Sequence, residues 1–235
     1  MKTNTQNFKY YDLVVAFSAS IPLLSNLAAT KPIQFGPLLL DAGFLLFPLA
    51  YIFDDILTEV YGFRHARRAI WCGFIVMLVG VSYLSFAVGL PAASGYTDQE
   101  AYAKVFGFLP VLVGGSMLAY LAGSFLNAAI VSWMKEQAEK KPDERPMWHR
   151  LMLSTVWGEL ADTFVFSVVY SLLFGLTLRD FFVYLLVGYV WKVFVEAVMM
   201  WPVTLPVIRW IKRREGVEIV DRDIRRSLFS LSVQR

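Results

Sequence analysis

The sequence predicts an all-α membrane protein: six transmembrane helices in a compact bundle, with both termini cytoplasmic. Three observations point there. The chain is 57% hydrophobic and 17% charged, with a mean hydropathy of +0.53, whereas a soluble domain is typically about 25% charged. Six windows, near 11–29, 40–61, 69–90, 110–133, 151–174 and 181–205, each offer the roughly 17 to 25 mostly apolar residues that a helix needs to cross ~30 Å of hydrocarbon. Lys and Arg fall on alternate loops: one side holds Lys2, Lys9, Arg64, Arg67, Arg68, Lys135, Lys140, Lys141, Arg145, Arg150 and the basic stretch from Arg209, the other only Lys31, Lys104 and Arg179. Cytoplasmic loops carry such an excess, so the net charge of +3 is explained by topology and implies no nucleic-acid partner. Residues 1–235 read as one integral membrane domain, with a cytoplasmic tail from 206.

The first window begins like a signal peptide, but its apolar run exceeds the usual cleavable core of about 7 to 15 residues, so it reads as a retained helix. Within it Ser25 and Asn26 follow Pro22. The second window enters at FPLAYIF and meets Asp54, Asp55 and Glu59 before any basic residue. The twelve residues from Ala42 to Phe53 make only ~18 Å of helix, too short to cross. The helix therefore continues through the carboxylates to Tyr61 or breaks near Pro48 and re-enters; ending at Phe53 would instead put DDILTEVYGFRHARR on the surface, paired with Arg64, Arg67 and Arg68. In either of the first two cases Asp55 and Glu59, spaced i and i+4, share an inward face, with Asp54 about 100° away.

The third window contains Cys72, the single cysteine, which excludes an intramolecular disulfide and reads as a core residue. The loop 91–107 mixes Pro and Gly with helix formers and suggests a short interfacial helix. In the fourth window Gly115, Ala119, Gly123 and Asn127 recur every four residues, a face on which two membrane helices can approach closely; Asn127 could also hydrogen-bond into a cavity. The fifth repeats the acidic theme with Glu159 and Asp162, flanked by Trp157 and Thr163. The sixth carries Lys192 and Glu196 at i and i+4, and a lysine this deep needs a carboxylate partner: Glu196, Glu159 or Asp162.

Up to six carboxylates thus face one lysine in the membrane. Such an excess of acceptors suits a ligand rich in N–H donors or positive charge, or coupling to protons or cations. Trp157, Trp191, Phe47 and Tyr51 offer flat surfaces on which a heteroaromatic ring could stack. The chain has no GxxxxGK[ST] loop for ATP, no GxGD context for an aspartyl protease and no His inside a window, His65 and His149 lying at cytoplasmic edges. A non-enzymatic carrier without cofactor or resident metal is the expectation, and a proton or cation channel is the competing class.

Four stretches, SNLAATK at 25–31, DILTEVYGFRHARRAIWCGF at 55–74, GELADTFVF at 158–166 and KVFVEAVMMWPVTLPVIRWIKRREGVEIVD at 192–221, resemble the queuosine precursor transporters of the vitamin uptake transporter group in bacteria. The resemblance implies a multi-pass inner-membrane protein, similar to the substrate-binding subunits of energy-coupling-factor transporters, that imports 7-deazaguanines such as preQ0 and preQ1. It implies as partners this small molecule and the lipid bilayer, and it leaves room for a homodimer or a separate energising module without requiring either. Ala16 to Ser20 is only a weak form of the small-residue signature by which such subunits dock, which favours a solitary transporter. On this reading Glu159 or Asp162 meets the guanine-like edge, Asp55 and Glu59 act as partners or gate, Asn26 and Asn127 face the carbonyl, Trp157 and Trp191 stack, and Lys192 with Glu196 organises the charges.

Overall fold

The computed structural model describes residues 8–35, 38–140, 146–175, 177–216 and 219. The expected linker charges at 141–145 and the tail beyond Ile219 lie outside them. The architecture is a helical bundle, with helices α1 (Tyr11–Ala28), α2 (Pro48–Ile56), α3 (Phe63–Val88), α4 (Gln99–Phe106), α5 (Leu109–Lys140), α6 (Met147–Phe174), α7 (Leu178–Met199) and α8 (Leu205–Glu215). A two-stranded antiparallel hairpin, β1 (Pro32–Phe35) paired with β2 (Leu38–Asp41), interrupts it after α1. The hairpin is a local departure from the expected all-α pattern.

Five helical stretches are long and apolar enough to cross a membrane: Tyr11–Ala28, Phe63–Val88, Gln99–Lys140, Met147–Leu172 and Leu178–Glu215. The second expected window is not a continuous helix. It opens with a single 3₁₀ turn at Ala42–Leu45, restarts at Pro48 and widens to a π-helical turn at Leu57–Tyr61. Proline fits the first turn of a helix because its missing N–H would have no intrahelical partner there, so the break falls where the chain can tolerate it. The broken segment still runs nearly the length of α1, since Ser25 donates its hydroxyl to the Gly43 carbonyl at 2.8 Å and Tyr61 packs edge-on against Tyr11, with ring centroids 5.1 Å apart.

Gly62, at φ 82 and ψ 169, turns the chain from this segment into α3 in a conformation open essentially to glycine alone. A similar π turn, Met200–Thr204, joins α7 to α8, carrying the helix past the expected end near 205. Pro202 and Pro206 supply no N–H to the preceding turn, and local widening is a common way for a helix to accommodate that loss. The loop after α3 forms the short helix α4, as its composition suggested.

The tightest contact in the bundle is α5 against α6, along the small-residue face. A side chain at Gly115 would meet Val169 Cγ1 at 2.7 Å, one at Gly123 would meet Asp162 Cβ at 2.7 Å and the Gly158 carbonyl oxygen at 2.9 Å, and one at Gly158 would meet Asn127 Cβ at 2.9 Å. Glycine at these positions lets two backbones touch, and the contact places Asn127 and Asp162 side by side.

One end of the bundle is basic and gathers both ends of the described chain. The N–H groups of Lys9 and Tyr10 donate to the Glu215 carboxylate at 2.9 and 2.8 Å, and the Tyr61 hydroxyl donates to it at 3.1 Å. Arg150 and Lys212 meet at the same end.

Candidate functional site

The carboxylates of α2, α6 and α7 are buried in the protein rather than facing lipid. Asp54, Asp55, Glu59, Glu159, Asp162 and Glu196 are each at most 1% exposed. This excludes the surface alternative for the stretch after Phe53, and it matches the rule that ionisable groups at membrane depth turn inward.

Lys192 on α7 is the charge around which the cluster is built. Its ammonium pairs with Asp162, lies 3.3 Å from Glu159 Oε2 and sits over the Phe47 ring at 4.4 Å from the centroid. The i, i+3 spacing of Glu159 and Asp162 lets one helix face present both carboxylates to one lysine. Glu196 takes a different partner from the expected Lys192: it accepts a hydrogen bond from Thr155 Oγ1. For Lys192, four residues away on the same helix, Glu196 would have to compete with Glu159 and Asp162, the two α6 carboxylates that already hold the ammonium.

Asp55 receives a hydrogen bond from Asn127 Nδ2 at 2.8 Å, joining α2 to the small-residue face of α5. The Tyr51 hydroxyl lies against Gly123 on α5 beside Asp162, within electrostatic reach of Glu159, Asp54 and Glu196. The Phe44 and Trp191 rings stack at 4.5 Å with an interplanar angle of 18°.

Glu59 stands apart from this cluster. Arg150 grips it with Nε at 2.8 Å and Nη2 at 2.5 Å, Lys212 Nζ lies 2.6 Å from Oε1, and Lys135 donates to the Glu59 backbone carbonyl at 2.6 Å. Asp55 and Glu59 are thus both buried but take different partners, Asp55 meeting Asn127 inside the bundle and Glu59 the basic groups at its end. Two other expected residues are also elsewhere. Trp157 is 51% exposed on the outer surface, and Asn26 donates to its own helix at the Pro22 carbonyl, 2.8 Å away, and to Met77 sulfur.

The remaining arrangement is rich in acceptors. Asp55 Oδ2, Asn127 Oδ1, Glu159 Oε1, Asp162 Oδ1 and Glu196 Oε1 are buried without a hydrogen bond among the described residues, and the donors in the same state nearby are Tyr51 OH, Thr163 Oγ1 and Trp191 Nε1. Buried polar atoms are ordinarily paired, so these atoms retain hydrogen-bonding capacity within the bundle. Thr155 and Phe44 are contributors that the sequence does not point to, and Tyr51, expected as a stacking surface, also brings a hydroxyl to the carboxylates. The i−4 spacing of Tyr51 from Asp55 was the available signal.

The sequence matches the profile of the family described as "Putative vitamin uptake transporter" over residues 41–206. It is 30% identical over 145 residues, 62% of each chain, to a "Probable queuosine precursor transporter" of Bacillus subtilis (strain 168). It is 23% identical over 183 residues, 77% of this chain and 73% of the relative, to a Haemophilus influenzae protein of the same description. The match thus covers less than two thirds of the Bacillus relative's length. No solved structure matches.

Proposed function

The chain belongs to the vitamin uptake transporter family, and from that premise we propose that it imports queuosine precursors, 7-deazaguanines such as preQ0 and preQ1, across the bacterial inner membrane. The broken segment Ala42–Tyr61 counts as the sixth crossing, which puts both termini on one side, and the Lys and Arg excess makes that side cytoplasmic. The single observation that carries the substrate reading is the set of orphaned acceptors around Lys192. A deazaguanine presents a ring N–H and an exocyclic amine along one edge, which a carboxylate can accept in bidentate fashion.

Asp55 and Glu196 are the carboxylates for that edge, because among the described residues neither is neutralised by a cation: one holds Asn127 and the other Thr155. Asp162 and Glu159 stay with Lys192, and Phe44 with Trp191 supplies the stacking face. A cationic aminomethyl group, as on preQ1, would add its charge to a cluster with more carboxylates than lysines. The Glu59 fork to Arg150 and Lys212 closes the cytoplasmic end beneath the cluster and acts as the inner latch.

The test is uptake of radiolabelled preQ1 by cells that lack both their own importer and 7-deazaguanine synthesis. Expression of this chain should restore uptake, with unlabelled preQ0 competing and adenine not. Uptake no greater than that of cells with an empty vector would overturn the assignment.

A further inference from the structure

A second polar cluster lies on the other side of α2. Asp54 turns away from Asp55 toward α1 and α5, where Ser18 donates its hydroxyl to Oδ1 at 3.2 Å. Tyr120 and Ser124 lie one turn apart on α5: the Ser124 hydroxyl interacts with the Asp54 carboxylate, and the Tyr120 hydroxyl with Ser124 and Ser18. All four residues are at most 1% exposed. Even so, Asp54 Oδ2, Ser124 Oγ and Tyr120 OH close no hydrogen bond of good geometry among the described residues. Gly73 on α3 leaves the phenol its place, since a side chain there would come within 3.1 Å of Tyr120 OH.

The groups acting on Asp54 are hydroxyls, whereas Glu59 and Asp162 each meet a lysine or arginine. One carboxylate with three neutral oxygens, brought together from three helices in the buried interior, is a donor set for a hard monovalent cation. A divalent ion would call for more oxygens or carboxylate charge, and a proton on Asp54 is the competing occupant that the experiment below distinguishes. We propose that Ser18, Asp54, Tyr120 and Ser124 form a sodium-binding site. The site is distinct from the solute cluster but adjoins it through α2, whose neighbouring residues Asp54 and Asp55 face the two. A cation that draws α1, α2 and α5 together there also fixes the backbone that presents Asp55, so ion and solute binding favour each other by linkage.

The experiment uses the purified full chain in lipid nanodiscs with no solute, so its outcome is independent of what the protein carries. Equilibrium binding of radioactive sodium should be saturable and resistant to choline, and the apparent melting temperature should be higher in sodium chloride than in choline chloride at equal ionic strength. Asp54→Asn should abolish binding, and Ser124→Ala and Tyr120→Phe, which keep packing nearly intact, should each weaken it roughly tenfold, as loss of one ligand oxygen implies. If Asp54→Asn does not fold, the two hydroxyl variants decide. Absence of saturable sodium binding, binding in both hydroxyl variants equal to the unaltered protein, or a response to pH with none to sodium would each overturn the proposal, the last in favour of a proton.

Discussion

Lys192→Met is expected to lose more stability than any other single substitution inside the membrane. It strands Asp162 and Glu159, both fully buried, without the ammonium that holds them. Removing one partner of a buried ion pair costs about 3–5 kcal/mol, whereas replacing all members by neutral groups of similar size is often close to neutral. The combined variant Lys192→Met, Glu159→Gln, Asp162→Asn should therefore recover most of the melting temperature that Lys192→Met alone loses, measured by tryptophan fluorescence on purified protein. Solute uptake should be absent in both. Asp162→Asn alone should lose less stability, because Lys192 keeps Glu159 at 3.3 Å. A combined variant no more stable than Lys192→Met would show that charge pairing is not what Lys192 contributes.

Glu59→Gln separates latch from ligand. The substitution keeps the shape of the side chain and removes the charge that Arg150 and Lys212 share, leaving two cations facing each other at the basic end. Transport should fall roughly tenfold or more, in keeping with loss of a buried charge-assisted network. Equilibrium binding of solute to the purified protein should stay near the unaltered value, because the Glu59 carboxylate is held by Arg150 and Lys212 and not by the cluster around Lys192. Loss of binding in parallel with transport would place Glu59 among the ligand contacts instead.

Much of this architecture can be read from the sequence, for identifiable reasons. The four-residue recurrence of Gly115, Ala119, Gly123 and Asn127 marks a close helix contact because only small residues permit one, and α5 and α6 meet along it. Lys192 must find a carboxylate because the alternative is a bare charge in hydrocarbon, and it finds Asp162 and Glu159. The arithmetic between Asp41 and Asp54 forces either a long or a broken second crossing, and the chain breaks near Pro48.

The features that spacing alone misses have equally physical causes. Spacing sets Asp55 and Glu59 one turn apart but does not say what each meets, and only the packing brings Arg150 and Lys212 to Glu59 and Asn127 to Asp55. Asn26 has an amide short enough to bond back to the carbonyl four residues earlier, at Pro22, and that local bond takes the place of a contact in the cavity. Trp157 has the chemistry of a stacking residue and equally that of a residue facing lipid headgroups, and its place on α6 decides for the outer surface. Ser18, Tyr120 and Ser124 are distant in sequence from Asp54, and only the packing of α1 and α5 on α2 brings them to it.

Asp55 and Glu196, which meet no cation among the described residues, are the carboxylates proposed to hold the solute. Equilibrium binding of radiolabelled preQ1 to purified protein tests that role most directly, with Asp55→Asn, Glu196→Gln and the surface variant Trp157→Phe measured beside the unaltered chain. The account predicts saturable binding that Trp157→Phe retains and that both carboxylate variants weaken by about one to two orders of magnitude, the range expected for loss of a charge-assisted hydrogen bond. Equal binding by the unaltered, Asp55→Asn and Glu196→Gln proteins would contradict it.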